Sequence, residues 1–145
     1  MKQLYNLIIT FFYLGYLPKA PGTFGSLGAL LFWVMFPDSL EARSLILIST
    51  LILGFIACFY VLKDIDEKDP SFIVIDEVVG LWLALLFVPK NSPLIMLGFI
   101  LFRFFDIFKP SIIYTVQFKK GVYGIMLDDI IAGFMVMLIL YGFMI

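Results

Sequence analysis

The fold class is decided by the run Ser44-Leu-Ile-Leu-Ile-Ser-Thr-Leu-Ile-Leu-Gly-Phe-Ile-Ala-Cys-Phe-Tyr-Val-Leu62, nineteen consecutive residues without a charge. A helix that crosses a bilayer needs about 20 mostly apolar residues. The rest of the chain has the same character, because 63% of its 145 residues are hydrophobic, 14% are charged and its mean hydropathy is +1.08. A soluble domain would carry about 25% charged residues. We therefore predict an all-α, polytopic membrane protein with a single domain over residues 1–145.

Four other apolar segments predict further membrane helices: residues 23–36, 71–89, 93–108 and 122–145. The first seventeen residues differ, because Lys2, Gln3 and Asn6 precede an apolar run of only eleven residues. We expect an interfacial helix there rather than a complete span. The expected architecture is a helix bundle of about four to five spanning helices plus this N-terminal interfacial helix.

The loop charges predict the orientation of this bundle. If every segment crosses the membrane, one side receives six lysines and the other receives Arg43 and Lys90. Cytoplasmic loops carry an excess of lysine and arginine, so the six-lysine side is expected to face the cytoplasm. These lysines are Lys19, Lys63, Lys68, Lys109, Lys119 and Lys120.

The composition excludes several kinds of chemistry. The chain has no histidine, which excludes His-based triads, His-ligated zinc and phosphatases that form a phosphohistidine. Its one cysteine, Cys58, lies inside the apolar run, where a thiolate is strongly disfavoured. The net charge of −1 leaves no basic surface for a nucleic acid. Any catalysis must therefore rest on carboxylates, lysine, arginine, hydroxyl groups and a metal ion.

Six charged residues interrupt three of the apolar segments. They lie near the start of segment 71–89, near the end of segment 93–108 and near the start of segment 122–145. With a rise of 1.5 Å per residue, all of them fall within about 10 Å of the predicted cytoplasmic interface. Charged side chains inside membrane segments are costly and indicate a functional site. The six residues are Asp76, Glu77, Arg103, Asp106, Asp128 and Asp129.

Five carboxylates this close together would repel one another without a cation to neutralise them. Hard oxygen ligands favour Mg²⁺, Ca²⁺ or Mn²⁺, and Mg²⁺ commonly binds through a few carboxylates plus a substrate phosphate. We expect Mg²⁺ here, with its ligands drawn from Asp76, Glu77, Asp128 and Asp129. Asp106 is expected to orient Arg103, to bind the metal or to act as a general base. The alternative is a set of interhelical ion pairs with Arg103, Lys109 and Lys63 that holds the bundle together.

A proline-rich turn precedes the predicted helix that begins at Gly22-Thr-Phe-Gly-Ser26. Free backbone N–H groups at a helix start bind anions, and lysine or arginine side chains add charge-assisted contacts to phosphate oxygens. The alternative is an ordinary helix start with Thr23 as its N-cap. The expected substrate-binding residues are Lys19, Gly22, Thr23, Ser26, Arg103 and Lys109.

Two glycines follow carboxylates at a spacing of one helical turn. Gly80 comes four residues after Asp76, and Gly133 comes four residues after Asp129. Glycine allows a neighbouring helix to approach closely, so the pattern predicts helix packing at these positions. Between two of the spans, residues 63–69 are expected to form a solvated loop, with Asp69 as its member nearest to the acidic cluster.

Four segments in this order together resemble the phosphatidylglycerophosphatase A family. They are Pro18-Lys-Ala-Pro-Gly-Thr-Phe-Gly-Ser26, Ile73-Val-Ile-Asp-Glu-Val-Val-Gly80, Phe102-Arg-Phe-Phe-Asp-Ile-Phe-Lys-Pro110 and Gly124-Ile-Met-Leu-Asp-Asp-Ile-Ile-Ala-Gly133. The resemblance implies a Mg²⁺-dependent hydrolase of phospholipid biosynthesis, located in the bacterial inner membrane with its active site facing the cytoplasm. The implied reaction converts phosphatidylglycerophosphate, a membrane phospholipid, to phosphatidylglycerol and inorganic phosphate. The expected catalytic residues are Asp76, Glu77, Asp106, Asp128 and Asp129.

The alternative function from another class is a small cation carrier or channel subunit that uses intramembrane carboxylates. Such a protein would have its acidic residues near the bilayer midplane, on a pathway that is open to both faces. The acidic residues of this chain lie near one face, and the opposite halves of the predicted spans are apolar. The sequence therefore favours the phosphatase.

Overall fold

The computed structural model describes residues 1–65, 70–110, 113 and 121–145. Within these residues all regular structure is helical, which confirms the predicted all-α class. The α-helices are α1 (Lys2–Ile9), α2 (Pro21–Met35), α3 (Leu40–Leu62), α4 (Ile75–Ala84), α5 (Leu94–Phe108) and α6 (Val122–Met144), and a 3-10 helix covers Leu14–Tyr16. The predictions for Lys68, Asp69, Lys119 and Lys120 lie outside the described residues.

Two of the described helices, α3 and α6, are long and apolar enough to cross a membrane. Each has 23 residues, which corresponds to about 35 Å at 1.5 Å per residue, against a hydrocarbon thickness of about 30 Å. The helices α2 and α5 have 15 residues each, and α4 has 10. Helix α4 is thus shorter than the predicted segment 71–89. The total of four to five spans stays a prediction.

Helix α4, the shortest of the helices from α2 to α6, lies at the centre of the bundle, where it is surrounded by protein. Eight of its ten residues are buried, and it contacts α2, α3, α5 and α6. The indole Nε1 of Trp82 donates a hydrogen bond of 2.8 Å to the carbonyl oxygen of Ala29 in α2. A helix shielded in this way from lipid does not need the full thickness of the bilayer.

Successive helices from α2 to α6 run in alternating directions. At one end of the bundle, Arg43 near the start of α3 is buried and donates 2.9 Å from Nη1 to the carbonyl oxygen of Val88, just beyond α4. Its Nε also donates to the carbonyl oxygen of Pro37 at 3.1 Å. The opposite end therefore holds the starts of α2, α4 and α6 together with the end of α5.

Helices α4 and α6 cross in close contact at two glycines, Gly80 and Gly133. A Cβ atom at Gly80 would lie 2.6 Å from the carbonyl oxygen of Asp129, and one at Gly133 would overlap the carbonyl oxygen of Gly80. This close approach confirms the packing predicted from the glycine spacing. Because Asp76 and Asp129 lie one turn before these glycines, the crossing brings the two carboxylates together.

The N-terminal residues form a compact unit beside the bundle. Helix α1 has eight residues and extends about 12 Å, too short to cross a bilayer. Phe11, Phe12 and Tyr13, which follow α1, have positive φ angles. The carbonyl oxygen of Ile9 accepts a hydrogen bond of 2.8 Å from the backbone N–H of Val74. The unit thus rests on the segment that leads into α4, and its expected interfacial position stays a prediction.

Candidate active site

A cavity of about 330 Å³ opens where the starts of α2, α4 and α6 meet the end of α5. Its lining combines acidic, basic and backbone groups from four parts of the chain. The lining residues are Ala20, Pro21, Gly22, Thr23, Ser71, Ile73, Asp76, Glu77, Arg103, Asp106, Lys109, Asp128 and Asp129. Polar residues that lie up to 106 positions apart in the sequence, from Thr23 to Asp129, therefore share one small space.

Three carboxylates converge inside the cavity. One oxygen from each of Asp76, Glu77 and Asp129 lies within 4.8 Å of the other two. Asp76 is only 7% exposed and Asp129 only 2% exposed. Asp76 Oδ1, Glu77 Oε2 and Asp129 Oδ1 are buried and have no hydrogen-bond partner within the described part of the chain. Buried polar atoms normally have a hydrogen-bond partner. These three carboxylate oxygens therefore fit a divalent cation, because such cations prefer hard oxygen ligands.

Asp128 does not point to the same place as these three residues. Its Oδ2 accepts a bond of 2.7 Å from Lys109 Nζ, and its Oδ1 accepts one of 3.0 Å from the backbone N–H of Asp129. Adjacent residues on a helix project about 100° apart. Asp129 therefore faces α4 while Asp128 faces the end of α5.

Lys109 lies just beyond the end of α5, where its backbone adopts a left-handed conformation with a φ of 40°. Burial lowers the pKa of its ammonium group, but the Asp128 carboxylate, with smaller contributions from Asp129 and Asp106, outweighs burial, so the pKa is raised above 10.5. Lys109 is therefore charged at neutral pH and places a cation at the edge of the cavity.

Arg103 is held across the boundary between α5 and α2. Its Nη1 forms an ion pair with Asp106 Oδ2 and donates to Ser26 Oγ at 3.4 Å. Its Nη2 donates to Thr23 Oγ1 at 3.3 Å. The side chains of Arg103 and Asp106 are 15% and 13% exposed. A partly buried guanidinium with three partners has a fixed direction, which suits recognition of a phosphoryl group.

The chain matches the family profile described as Phosphatidylglycerophosphatase A over residues 7–144. It belongs to the phosphatidylglycerophosphatase A family. The sequence resemblance is thereby confirmed, and the chain is a member of a family of phosphatases.

Individual relatives support the same assignment. The chain is 35% identical to phosphatidylglycerophosphatase A of Escherichia coli (strain K12) over 144 residues, which cover 97% of this chain and 84% of that protein. It is 33% identical to the Haemophilus influenzae protein of that name over 141 residues, 94% of this chain and 86% of the relative. A Bacteroides thetaiotaomicron protein, named as a candidate phosphatidylinositol-3-phosphatase, is 36% identical over 135 residues, 88% of this chain and 85% of its own length. No solved structure matches the chain at a significant level.

Two predicted substrate-binding residues lie outside the cavity lining. Lys19 is exposed, with a φ of 78°. Ser26 is buried behind Arg103, where its Oγ donates 2.9 Å to the carbonyl oxygen of Gly22. The other predicted site residues, both basic and acidic, all line the cavity.

The alternative interpretation, in which Thr23 is the N-cap of α2, is wrong. The helix begins at Pro21, two residues earlier, with Ala20 as its N-cap and no capping side chain. Proline is favoured at the first helical position because its fixed φ suits the helix and its missing N–H costs nothing there. Thr23 thus lies within the first turn, where its hydroxyl accepts from Arg103.

Glu77 lies against the start of α2. A Cβ atom at Gly22 would overlap Glu77 Oε1, so glycine at this position leaves the carboxylate room in the position that it occupies. The first N–H groups of a helix have no partner within the helix, and a carboxylate next to them is favourably placed. This helix start was predicted either to bind phosphate or to be an ordinary helix start, and the approach of Glu77 to it was not predicted. Ser71 was not predicted as a site residue either, because its only signal in the sequence is its position just before the acidic segment.

Proposed function

We propose that this member of the phosphatidylglycerophosphatase A family hydrolyses the terminal phosphomonoester of phosphatidylglycerophosphate, with Mg²⁺ as its cofactor. The observation that carries the proposal is the convergence of Asp76, Glu77 and Asp129 in a cavity that also contains Arg103 and Lys109. An acidic metal site beside two cations is suited to a phosphate ester. The names of the Escherichia coli and Haemophilus influenzae relatives support the lipid substrate.

Asp76, Glu77 and Asp129 are the residues that would hold the metal ion. Their unpartnered oxygens are within reach of one another, and a carboxylate set with room for a substrate phosphate suits Mg²⁺. The chemistry that Mg²⁺ supplies at such a site is polarisation of phosphoryl oxygens and activation of water. Asp128 is assigned instead to holding Lys109 in place, because the two side chains form an ion pair of 2.7 Å.

Arg103 and Lys109 neutralise the charge of the phosphoryl group in this proposal. Phosphoryl transfer depends mainly on positioning and electrostatic stabilisation. Arg103 meets this need because Asp106, Ser26 and Thr23 fix its guanidinium before substrate arrives. Among the three roles expected for Asp106, its ion pair with Arg103 favours orientation.

The proposed membrane arrangement is multi-pass in the bacterial inner membrane, with the cavity at the cytoplasmic face. The two long apolar helices support a membrane protein, and the distribution of lysine over the loops supports the orientation. With α2, α5 and α4 inserted beside α3 and α6, four to five helices would cross or enter the bilayer. The cavity then lies at the level of the lipid headgroups.

The cation-carrier alternative is less well supported. It expects carboxylates near the middle of the membrane, whereas Asp76 and Glu77 occupy the first turn of α4. The far end of the bundle is occupied by Arg43 and its hydrogen bonds to two backbone carbonyl oxygens. These features favour a site that opens to one face, as an interfacial hydrolase requires.

The names of the relatives refer to lipids with different headgroups. The name of the Bacteroides thetaiotaomicron relative refers to phosphatidylinositol 3-phosphate, which also carries a phosphomonoester on a lipid headgroup. Purified protein in detergent–lipid micelles should therefore be assayed with both lipids. We expect faster phosphate release from phosphatidylglycerophosphate, and preference for the inositol lipid would overturn the substrate assignment.

Metal dependence is tested in the same assay. Phosphate release should require Mg²⁺, stop on addition of EDTA and resume when Mg²⁺ is restored. Asp129→Asn should abolish it without loss of folded protein, whereas Glu41→Gln, at an exposed residue in the first turn of α3, should leave it unchanged. Activity that survives chelation would contradict the metal assignment but leave the family membership intact.

A further inference from the structure

A second cavity, of about 540 Å³, lies between α1 and the end of α3. Its lining includes Lys2 and Tyr5 of α1, and Tyr60, Lys63 and Asp64 at the end of α3. Because α3 starts at the far end of the bundle, this second cavity lies at the same end as the candidate active site. None of the three residues that would hold the metal ion lines it, so a ligand bound here is not positioned for hydrolysis.

A short segment before α4 separates the second cavity from the candidate active site. Ser71 and Ile73 line the candidate active site, whereas Phe72 between them lines the second cavity. The ring of Tyr16, which lines the second cavity as well, lies 5.6 Å from the ring of Phe72. The two cavities are therefore neighbours with a common wall rather than parts of one space.

The charged side chains that line the second cavity leave one positive charge without a partner. Lys2 Nζ and Asp64 Oδ2 form an ion pair of 2.6 Å. Lys63 Nζ lies instead over two aromatic rings, 4.4 Å from the centroid of Phe59 and 5.1 Å from that of Tyr60. Among the described residues, no carboxylate lies within ion-pair distance of Lys63. This single positive charge is complementary to the single negative charge of a phosphodiester.

An apolar cavity of about 440 Å³ adjoins the second cavity, between α3 and the start of α6. Tyr60 lines both cavities. The rings of Phe55 and Tyr123, with centroids 5.9 Å apart, form a wall of the apolar cavity. From Tyr60 to Phe55 this cavity extends about 8 Å along α3 toward the middle of the helix. Lys63 lies over Phe59 and Tyr60, which both line the apolar cavity, so a cation is placed where the polar and the apolar cavity meet.

We propose that these two cavities bind an anionic phospholipid that is not hydrolysed, with its phosphodiester at Lys63 and the first part of an acyl chain between α3 and α6. Tyrosine rings are favoured at the level of the lipid headgroups, and basic pockets on the cytoplasmic side of membrane proteins bind anionic headgroups. The proposal uses the membrane arrangement given under the proposed function, but it does not depend on the proposed reaction.

Fluorescence quenching by brominated lipids tests this site. Phe59→Trp places a reporter in the apolar cavity, and Phe104→Trp near the end of α5 is the matched control. Both are exposed aromatic residues near the same end of the bundle, and Phe104 lines none of the three cavities. Each variant, in mixed micelles, is titrated with phosphatidylglycerol or phosphatidylcholine that is brominated in the acyl chains. The signal of the wild type, which comes from the buried Trp33 and Trp82, is subtracted.

We expect half-maximal quenching of Phe59→Trp at a fraction of brominated phosphatidylglycerol about fivefold lower than that of brominated phosphatidylcholine, the effect of one lysine near an anionic lipid. Phe104→Trp should be quenched equally by the two lipids. When Lys63→Gln is added to Phe59→Trp, the preference should disappear. Lys63→Arg, which keeps the charge, and Lys90→Gln, at a lysine paired with Asp38 at the far end, should each preserve it.

Two results would overturn the anionic-lipid site: equal quenching of Phe59→Trp by the two lipids, or the same preference in Phe104→Trp. The comparison within Phe59→Trp needs no change at Lys63, so it remains decisive if Lys63→Gln fails to fold. Because no phosphate release is measured, a preference at position 59 would support the lipid site even in a protein without phosphatase activity. Phosphate release without that preference would overturn the lipid site alone and leave the proposed function intact.

Discussion

Gly80 of α4 and Gly133 of α6 meet backbone to backbone, at a separation that leaves no room for a Cβ atom on either residue. Asp76 and Asp129 lie one helical turn from this contact, toward the cavity. The distance between the two carboxylates is therefore set by the distance between the two glycine backbones, and the candidate metal site depends on a packing contact that lies outside it.

Gly133→Ala is expected to push the two helices apart. Its Cβ atom would overlap the carbonyl oxygen of Gly80, and overpacking of this kind lowers the free energy of unfolding by about 1–3 kcal/mol. Misplacement of Asp129 by about 1 Å should reduce phosphate release roughly 100-fold. Thermal unfolding in detergent and the phosphate-release assay measure the two effects.

Gly142→Ala provides the matched control in the same helix. A Cβ atom at Gly142 meets no other atom within 4 Å, so both stability and activity should match those of the wild type. If Gly133→Ala kept full activity, the close crossing would not be what positions the carboxylates.

Gly22→Ala is expected to displace Glu77 rather than to unfold the protein. Its Cβ atom would overlap Glu77 Oε1, the end of a flexible side chain that can move aside. The unfolding temperature should change little, while the Mg²⁺ concentration for half-maximal activity should rise, because one proposed ligand has moved. A Mg²⁺ titration of the activity measures this. In the double variant with Glu77→Asp, the shorter side chain should partly restore the Mg²⁺ response of Gly22→Ala. If Gly22→Ala alone left the Mg²⁺ response unchanged, Glu77 would not be a ligand.

Arg43 and Arg103 should respond differently to the same substitution. Arg103→Lys removes the planar fork that contacts Thr23, Ser26 and Asp106, so kcat should fall at least roughly 100-fold with little change in the unfolding temperature. Arg43→Lys breaks hydrogen bonds to two backbone carbonyl oxygens at the far end of the bundle. It should lower the unfolding temperature and leave the kcat of the folded protein unchanged. Loss of activity in both variants in proportion to folded protein would mean that Arg103 is only structural.

The attachment of α1 should depend on pH and salt. Lys2 holds the pKa of the Asp64 carboxyl below its usual range through a hydrogen bond of 2.6 Å and its charge, and the same contact raises the pKa of Lys2. A carboxylate with a lowered pKa stabilises the structure above its unfolded-state pKa, and this contribution is lost as pH falls through the folded-state pKa. The contact should therefore be complete at neutral pH and weaken only below about pH 4.

Hydrogen-exchange protection factors for the backbone of α1 test this prediction. Protection should fall in acid, fall in high salt because both side chains are exposed, and fall at neutral pH in Asp64→Asn. Glu41→Gln, at an exposed acid that starts α3, should leave α1 unchanged. Protection that is insensitive to all three treatments would show that the other contacts of α1, among them the buried side chain of Ile9 and the stacking of Tyr5 on Tyr60, hold it without the ion pair.

The depth of the site could be predicted from the sequence, but the direction of its side chains could not. A charge within an apolar segment is rare and costly, so Asp76, Arg103 and Asp129 can be recognised as site residues from the sequence. The rise per residue of a helix then predicts that they lie at a similar depth from the membrane interface. The sequence does not give the rotation of one helix against another. It therefore assigned Asp128 to the metal, whereas the structure pairs this residue with Lys109, and it placed Ser26 on the substrate, whereas the structure places it behind Arg103.

The ends of the helices could also be predicted only in part. Hydropathy marks segment 71–89 as one apolar unit, yet regular helix covers only Ile75–Ala84. High hydropathy indicates that a segment is buried in apolar surroundings, but it does not tell whether these are lipid or protein. Helix α4 is surrounded by protein. The start of α2 at Pro21 follows from proline stereochemistry, which the prediction of Thr23 as N-cap did not take into account.

The alternating direction of the helices has an electrostatic consequence. Each peptide dipole is aligned with its helix axis, which gives an N-terminus an effective charge of about +0.5. Two N-termini, those of α2 and α4, line the same cavity and together contribute an effective charge of about +1. This field offsets part of the formal charge of −3 from five carboxylates and two cationic side chains in the lining. The backbone itself thus makes the acidic cavity more receptive to an incoming dianion.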